Sequence, residues 1–178
     1  MGHGSPSSAP CPLPLAPFPS PAMFPALRPI LNKGGAGRYI SREESAERLM
    51  PIAQRHLDLL RTYGAVLALL PDGPGTMRIQ AMMPYLRTEI AKMSETILSL
   101  NGTPPNGIGE TAAPVPDGSD RVRIQALLDA EKGFGDALRE EIDSVHHQER
   151  TRAILGHNAE ASASRVDLLR GVLAEIAR

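Results

Sequence analysis

The chemistry open to this chain rests on a few carboxylates and imidazoles set at helical spacing. Glu131 stands on an otherwise apolar stripe: Ile124, Leu127, Glu131, Phe134, Leu138, Ile142, Val145. Steps of three and four mark that stripe as one face of a helix. A carboxylate there is costly unless it is paired or bound. Glu131 is therefore a metal ligand or a buried acid facing His56, or else it sits at the stripe's edge or pairs with Lys92 or an arginine. His56 lies on a second stripe with Leu49, Ile52, Ala53, Leu60, Tyr63, Leu67 and Leu70. It reads as a hydrogen-bonded core histidine or as a ligand. His146, His147 and Glu149 cluster at an expected turn, as a surface metal site or simply as solvated side chains. Met77, Met82, Met83 and Met93 have the spacing of core filler more than of a copper site. No HExxH, CxxC, nucleophile elbow or nucleotide loop is present, so no catalytic or cofactor-binding motif stands out.

Positioning those residues falls to long amphipathic helices. The first spans about 41–70. Ser41-Arg-Glu-Glu44 reads as a capping box, and Pro51 either kinks the helix or marks its true first turn. Pro71-Asp-Gly-Pro-Gly75 is a tight turn, which places the next helix antiparallel. That second helix spans about 76–100, with the stripe Ile79, Met82/Met83, Leu86, Ile90, Met93, Ile97, Leu100 and a cap at Asn101-Gly102, where glycine would take the left-handed conformation. A third, about 120–145, is capped by Ser119 or Asp120. A fourth spans about 147–177, with Leu155, Asn158/Ala159, Ser162, Val166, Leu169, Val172/Leu173 and Ile176 inward. The turn between these two falls within 143–148. Leu128 and Leu168, beside the main seams, hint at a dimer face.

Composition supports an all-α chain. Apolar residues make up 42% and aromatics only 3%, with no strict alternation to suggest strands. The formal net charge is −1 with both signs interspersed, so the helices offer no basic stripe for nucleic acid. Residues 1–40 form a Pro- and Gly-rich segment, expected to be a disordered tail, or in its first 22 residues an upstream extension before Met23. Prolines break any secretory apolar run there. Asn32-Lys-Gly-Gly-Ala-Gly-Arg-Tyr39 lacks the spacing of a phosphate loop. The single cysteine, Cys11, permits no internal disulfide and fits a reducing compartment, and no apolar run is long enough to span a bilayer. The expected location is cytoplasmic.

Residues 101–119 separate the two helical hairpins. A helix of about 25 residues is roughly 38 Å long, and a connection of about 19 residues reaches roughly 60 Å. The connection can therefore run the length of the bundle and leave the second and third helices parallel; otherwise it is a loose loop closing an up-down-up-down bundle. Ile97-Leu-Ser-Leu-Asn-Gly-Thr-Pro104, this connection, and the stretches QALLDAEKGFGDALREEID and TRAILGHNAEASASRVDLL together resemble the ferritin-like superfamily over residues 45–178. Asn101 stands where that group has glycine. The chain is similar to the small bacterial members with degenerate di-iron ligands.

The resemblance implies a four-helix bundle with a long crossover between the second and third helices. It also implies iron held by a Glu from each of two helices and Glu-x-x-His from the other two. Here Glu89-Ile-Ala-Lys92 and Glu149-Arg-Thr-Arg152 carry a cation where the imidazole belongs, and His157-Asn-Ala-Glu160 has the pair in reversed order. Glu131, His56, Glu89, His157 and Glu160 are the candidate ligands that remain. The expectation is a non-enzymatic ferritin-like bundle acting by self-association or through a protein partner, in stress response. The alternatives are a protein that stores or oxidises iron with a reduced ligand set, and a DNA-associating miniferritin-like protein reached through the basic residues Arg28, Lys33 and Arg38.

Overall fold

The computed structural model describes residues 1, 38–107 and 114–176. Among these, the chain forms β1 (Arg38–Tyr39), α1 (Arg42–Leu67), α2 (Pro74–Ser99), α3 (Asp120–Ser144), β2 (Val145–His146) and α4 (Glu149–Ile176). It is an all-α four-helix bundle with one minimal addition. β1 and β2 pair in parallel, Arg38 opposite Val145 and Tyr39 opposite His146. The expected tail falls outside the described residues except at this strand, which gives its end a fixed partner.

Local chemistry sets the helix ends. Ser41 caps α1 by accepting the Glu44 amide at 3.0 Å. α1 then continues unbroken through Pro51. Pro74 occupies the first turn of α2, where its missing amide costs nothing. At the other end of α2 the Asn101 amide reaches the Leu98 carbonyl at 3.0 Å and the Gly102 amide reaches the Ile97 carbonyl at 2.9 Å. These two bonds make a Schellman cap. Asn101, not glycine, takes the left-handed conformation, with φ of 65°. Gly102 is needed for another reason: a Cβ there would lie 2.8 Å from both Ala46 Cβ and Ile97 Cγ2.

Contacts between helices fix their directions. Arg42 reaches the Ser99 carbonyl, so α1 and α2 are antiparallel. Arg48 meets Glu141 while Tyr63 meets Glu131, so α1 and α3 are antiparallel as well. Arg78 meets Glu175 while Arg165 meets Glu89, which sets α2 antiparallel to α4. α2 and α3 consequently point the same way. The connection leaves α2 beside the start of α1, where Gly102 touches Ala46. It is tied to α1 by Arg61, which donates to the Gly107 carbonyl at 2.6 Å. α3 begins near the far end, where Arg123 reaches the Leu69 carbonyl.

The four inward faces meet around Leu49, Tyr63, Ile79, Leu86, Met93, Ile97, Leu127, Leu138, Leu155 and Leu169, all essentially without solvent. Leu128 is buried in this core, and Leu168 is partly buried against it. The reason is geometric: α3 and α4 each touch two neighbours, and the buried arc is wider than a single seam. Met83 and Met93 fill the core, whereas Met77 is exposed. Among the described residues no helix is long and apolar enough to cross a membrane.

Candidate functional site

Halfway along the bundle each helix turns one or more polar side chains inward. α1 supplies His56 and Tyr63, α2 Glu89, α3 Glu131, and α4 Asn158, Ser162 and Arg165; all are buried. Each lies on its helix's apolar seam, so burial is imposed by register rather than chosen by the side chain. Arg165 is the hub, with 1% of its surface exposed. Its Nη1 lies 2.8 Å from both carboxylate oxygens of Glu89. Its Nε donates to Glu131 Oε2 at 3.1 Å. Tyr63 donates its hydroxyl to the same oxygen at 2.8 Å. Ser162 Oγ donates to the Glu131 carbonyl oxygen at 3.3 Å. His56 Nε2 stands 3.6 Å from Glu89 Oε2, and its ring packs against Phe134 with centroids 4.5 Å apart.

Electrostatics follow from that geometry. Burial opposes charge on Arg165, but Glu131 and Glu89 outweigh it and hold the guanidinium protonated above its ordinary value. Burial would raise Glu89; His56 and Arg165 more than offset this, and its carboxyl stays ionised below the usual range. His56 goes the other way. Burial dominates, the pull of Glu89 is weaker, and the imidazole is held neutral. Burial, then the Glu131 charge, push the Tyr63 phenol well above its ordinary value, so it remains a donor. With His56 neutral, two carboxylates face one guanidinium. Donors and acceptors around them are both incompletely paired: Glu131 Oε1 and both His56 nitrogens have no hydrogen-bond partner, and neither do Arg165 Nη2 and Asn158 Nδ2. Tyr63→Phe should cost about 1.5–3 kcal/mol, the worth of a buried hydrogen bond to a charged acceptor. Urea unfolding would measure it, and a loss under about 0.5 kcal/mol would show that the hydroxyl contributes nothing net.

Spacing singled out His56 and Glu131, the family resemblance added Glu89, and the structure brings these three together. The arginine that pairs with Glu131 is Arg165, while Lys92 is exposed. His157 and Glu160 lie on the exposed side of α4; the inward residues of those turns are Asn158, Ser162 and Arg165. His146, His147 and Glu149 line one open pocket but are not placed to hold a metal ion together. His146 stacks on Tyr39 with ring centroids 5.2 Å apart, His147 is buried, and Glu149 is exposed. Among the described residues no three His, Cys, Asp or Glu side chains are placed to hold a metal ion. The side chains present do not fit a pair of iron ions: the nitrogens of Arg165 lie between the two carboxylates that would have to bridge them.

A second polar cluster, which spacing did not disclose, closes one end of the bundle. Ser45 Oγ and His147 Nδ1 are 2.7 Å apart, and His147 Nε2 and Glu141 Oε1 are 2.7 Å apart. Arg48 grips both oxygens of Glu141 through Nε and Nη2, at 2.7 and 2.9 Å. Serine, imidazole and carboxylate in that order are the parts of a nucleophile relay. Ser45, however, is only 1% exposed, so no acyl group can reach it in this conformation. The cluster instead fastens the start of α1 to the α3–α4 link. Compared with known proteins, the chain matches no family model, no curated protein and no solved structure.

Proposed function

We propose that this is a ferritin-like four-helix bundle whose interior is structural and whose function lies on its surface, in self-association or in holding a protein partner. The carrying observation is the Arg165 guanidinium, which ion-pairs with both inward carboxylates, Glu89 and Glu131. Carboxylates held by a guanidinium are not free to cycle iron. The parallel α2 and α3, joined by a lengthwise connection, support the ferritin-like assignment. The outer face of α2 supports the surface role: Met77, Tyr85 and Leu98 are each more than half exposed. Charges on the helices are mixed, and DNA association does not follow from them.

The reading is tested on the full chain in two steps. After aerobic loading with ferrous iron and desalting, elemental analysis should find no iron retained; iron retained and lost on Glu131→Ala would overturn the reading. Light scattering across a concentration series should show an assembled mass that falls to the monomer in a Met77→Lys/Tyr85→Lys variant of unchanged helicity. A monomer at every concentration would leave the partner-binding form of the proposal.

A further inference from the structure

We propose that the end of the bundle away from the β1–β2 pair binds a small amphiphilic amine, with its apolar chain in a cleft among the helix ends and its ammonium on Asp72. The site is separate from the polar interior and does not rest on the self-association proposed above. Exposed apolar side chains gather at this end: Leu69 just past α1, Met77 in the first turn of α2, Val122 in the first turn of α3 and Ile176 at the last residue of α4. Apolar side chains exposed together mark binding surfaces. Among these helix ends lies a cleft of about 270 Å³. Its apolar lining includes Leu70, Ile124 and Val172, the last two only 2% exposed. Gly75 lets the first turn of α2 close on the cleft wall, because a Cβ there would lie 2.9 Å from Val172 Cγ1.

Charge selects the ligand. Asp72, Asp120 and Glu175 line the cleft, and among the described residues no cation does. Asp120 already accepts from Arg123 at 3.0 Å, and Glu175 from Arg78. Asp72, in the turn between α1 and α2, has no ion-pair or hydrogen-bond partner among the described residues. Two helices begin at this end and two finish there, so their dipoles offset and the carboxylates set the sign. An ammonium on Asp72 makes a charge-assisted hydrogen bond while its chain covers the apolar wall. A carboxylate of the same length adds like charge, and an alcohol leaves Asp72 without a cation. The cleft is smaller than the roughly 300–1,000 Å³ of drug-sized sites, so it takes a short chain or a single ring.

The test titrates hexylammonium, hexanol, hexanoate and ammonium ion alone onto the full-length chain, read by ligand-observed saturation-transfer NMR. Hexylammonium should bind saturably and hexanol more weakly; hexanoate and ammonium ion should not bind. Asp72→Asn should weaken hexylammonium by roughly tenfold or more, the loss of a hydrogen bond to a charged group. It should leave hexanol binding and the melting midpoint unchanged, since Asp72 is exposed and holds no partner in the fold. Ile176→Trp, which fills the cleft from its rim, should abolish binding of both at unchanged helicity. Tyr85→Lys, on the outer face of α2, should leave both affinities as they were. No saturable binding of hexylammonium overturns the proposal. So does hexanol or hexanoate binding as tightly as the amine, or amine binding that survives Asp72→Asn undiminished. Self-association is read separately by light scattering, so its failure would leave this site standing.

Discussion

Arg165→Met lowers the unfolding free energy by about 3–5 kcal/mol, because it strands two buried carboxylates whose only cation is gone. The side chain removed is almost fully enclosed, so water cannot take over its role. Methionine restores much of the volume, which isolates the charge effect from cavity formation. The variant's pH dependence should also change sign. Without the guanidinium, Glu89 protonates more readily in the folded than in the unfolded chain. The folded state then binds more protons, and the deficit is largest at neutral pH and narrows on acidification. The companion variant Tyr63→Phe/Glu89→Leu/Glu131→Leu/Arg165→Met removes every charge together with the phenol. It should recover to within about 2 kcal/mol of the original chain, as apolar replacements of buried ion pairs do. Urea unfolding at several pH values measures both. An Arg165→Met loss below about 1 kcal/mol would mean that the ion pairs carry no net weight.

Acid should unfold the protein in two stages. His56 protonates in the unfolded chain near its ordinary value of 6.5, while in the folded chain burial holds it neutral against the pull of Glu89. Below that pH the unfolded state takes up a proton that the folded state refuses, and stability falls. Glu89 acts with the same sign at lower pH. Its folded carboxyl stays ionised below the ordinary 4.5 while the unfolded one protonates, so stability present above 4.5 is lost as pH drops further. Each unit of displacement is worth about 1.4 kcal/mol. His56→Gln should remove the first stage and weaken the second, because His56 helps Arg165 hold Glu89 ionised. Stability that rises between pH 7 and 5 would contradict the neutral assignment of His56.

Periodicity gave the number of helices, their faces and their ends to within a few residues. It missed half of the polar interior for a specific reason. At Glu89–Ile90, Glu141–Ile142 and Arg165–Val166 a charged residue precedes an aliphatic one. The two positions differ by about 100° around the helix, and the aliphatic member draws the assigned stripe towards itself. In the structure Ile90, Ile142 and Val166 are only partly buried, while Glu89, Glu141 and Arg165 are buried. The heptad on α4 runs Leu155, Asn158, Ser162, Arg165, Leu169, Val172, in alternating steps of three and four, and was legible once Arg165 was allowed to be inside. Ser45 and His147 lie 102 positions apart, and no local pattern could pair them. The β1–β2 pairing is equally non-local, and each strand has only two residues, too few for alternation to register.

The distribution of charge between the hairpins has a consequence for how newly made chains sort themselves. The hairpin of α1 and α2 brings Glu89 with neutral His56 and Tyr63; the hairpin of α3 and α4 brings Glu131 together with the Arg165 guanidinium. Two copies of the first hairpin, packed face to face, would oppose carboxylate to carboxylate with no cation between them. Only the mixed pairing places Glu89 beside a positive charge. A slip of one helical turn, about 5.4 Å, would carry the guanidinium from Glu89 onto Leu86 or Met93, both of which belong to the apolar core. Polysomes crowd identical half-finished chains together, each with its first hairpin exposed and its second not yet made. The lone carboxylate on that hairpin discourages two first hairpins from pairing with each other, and it leaves each one to wait for a hairpin that carries the arginine.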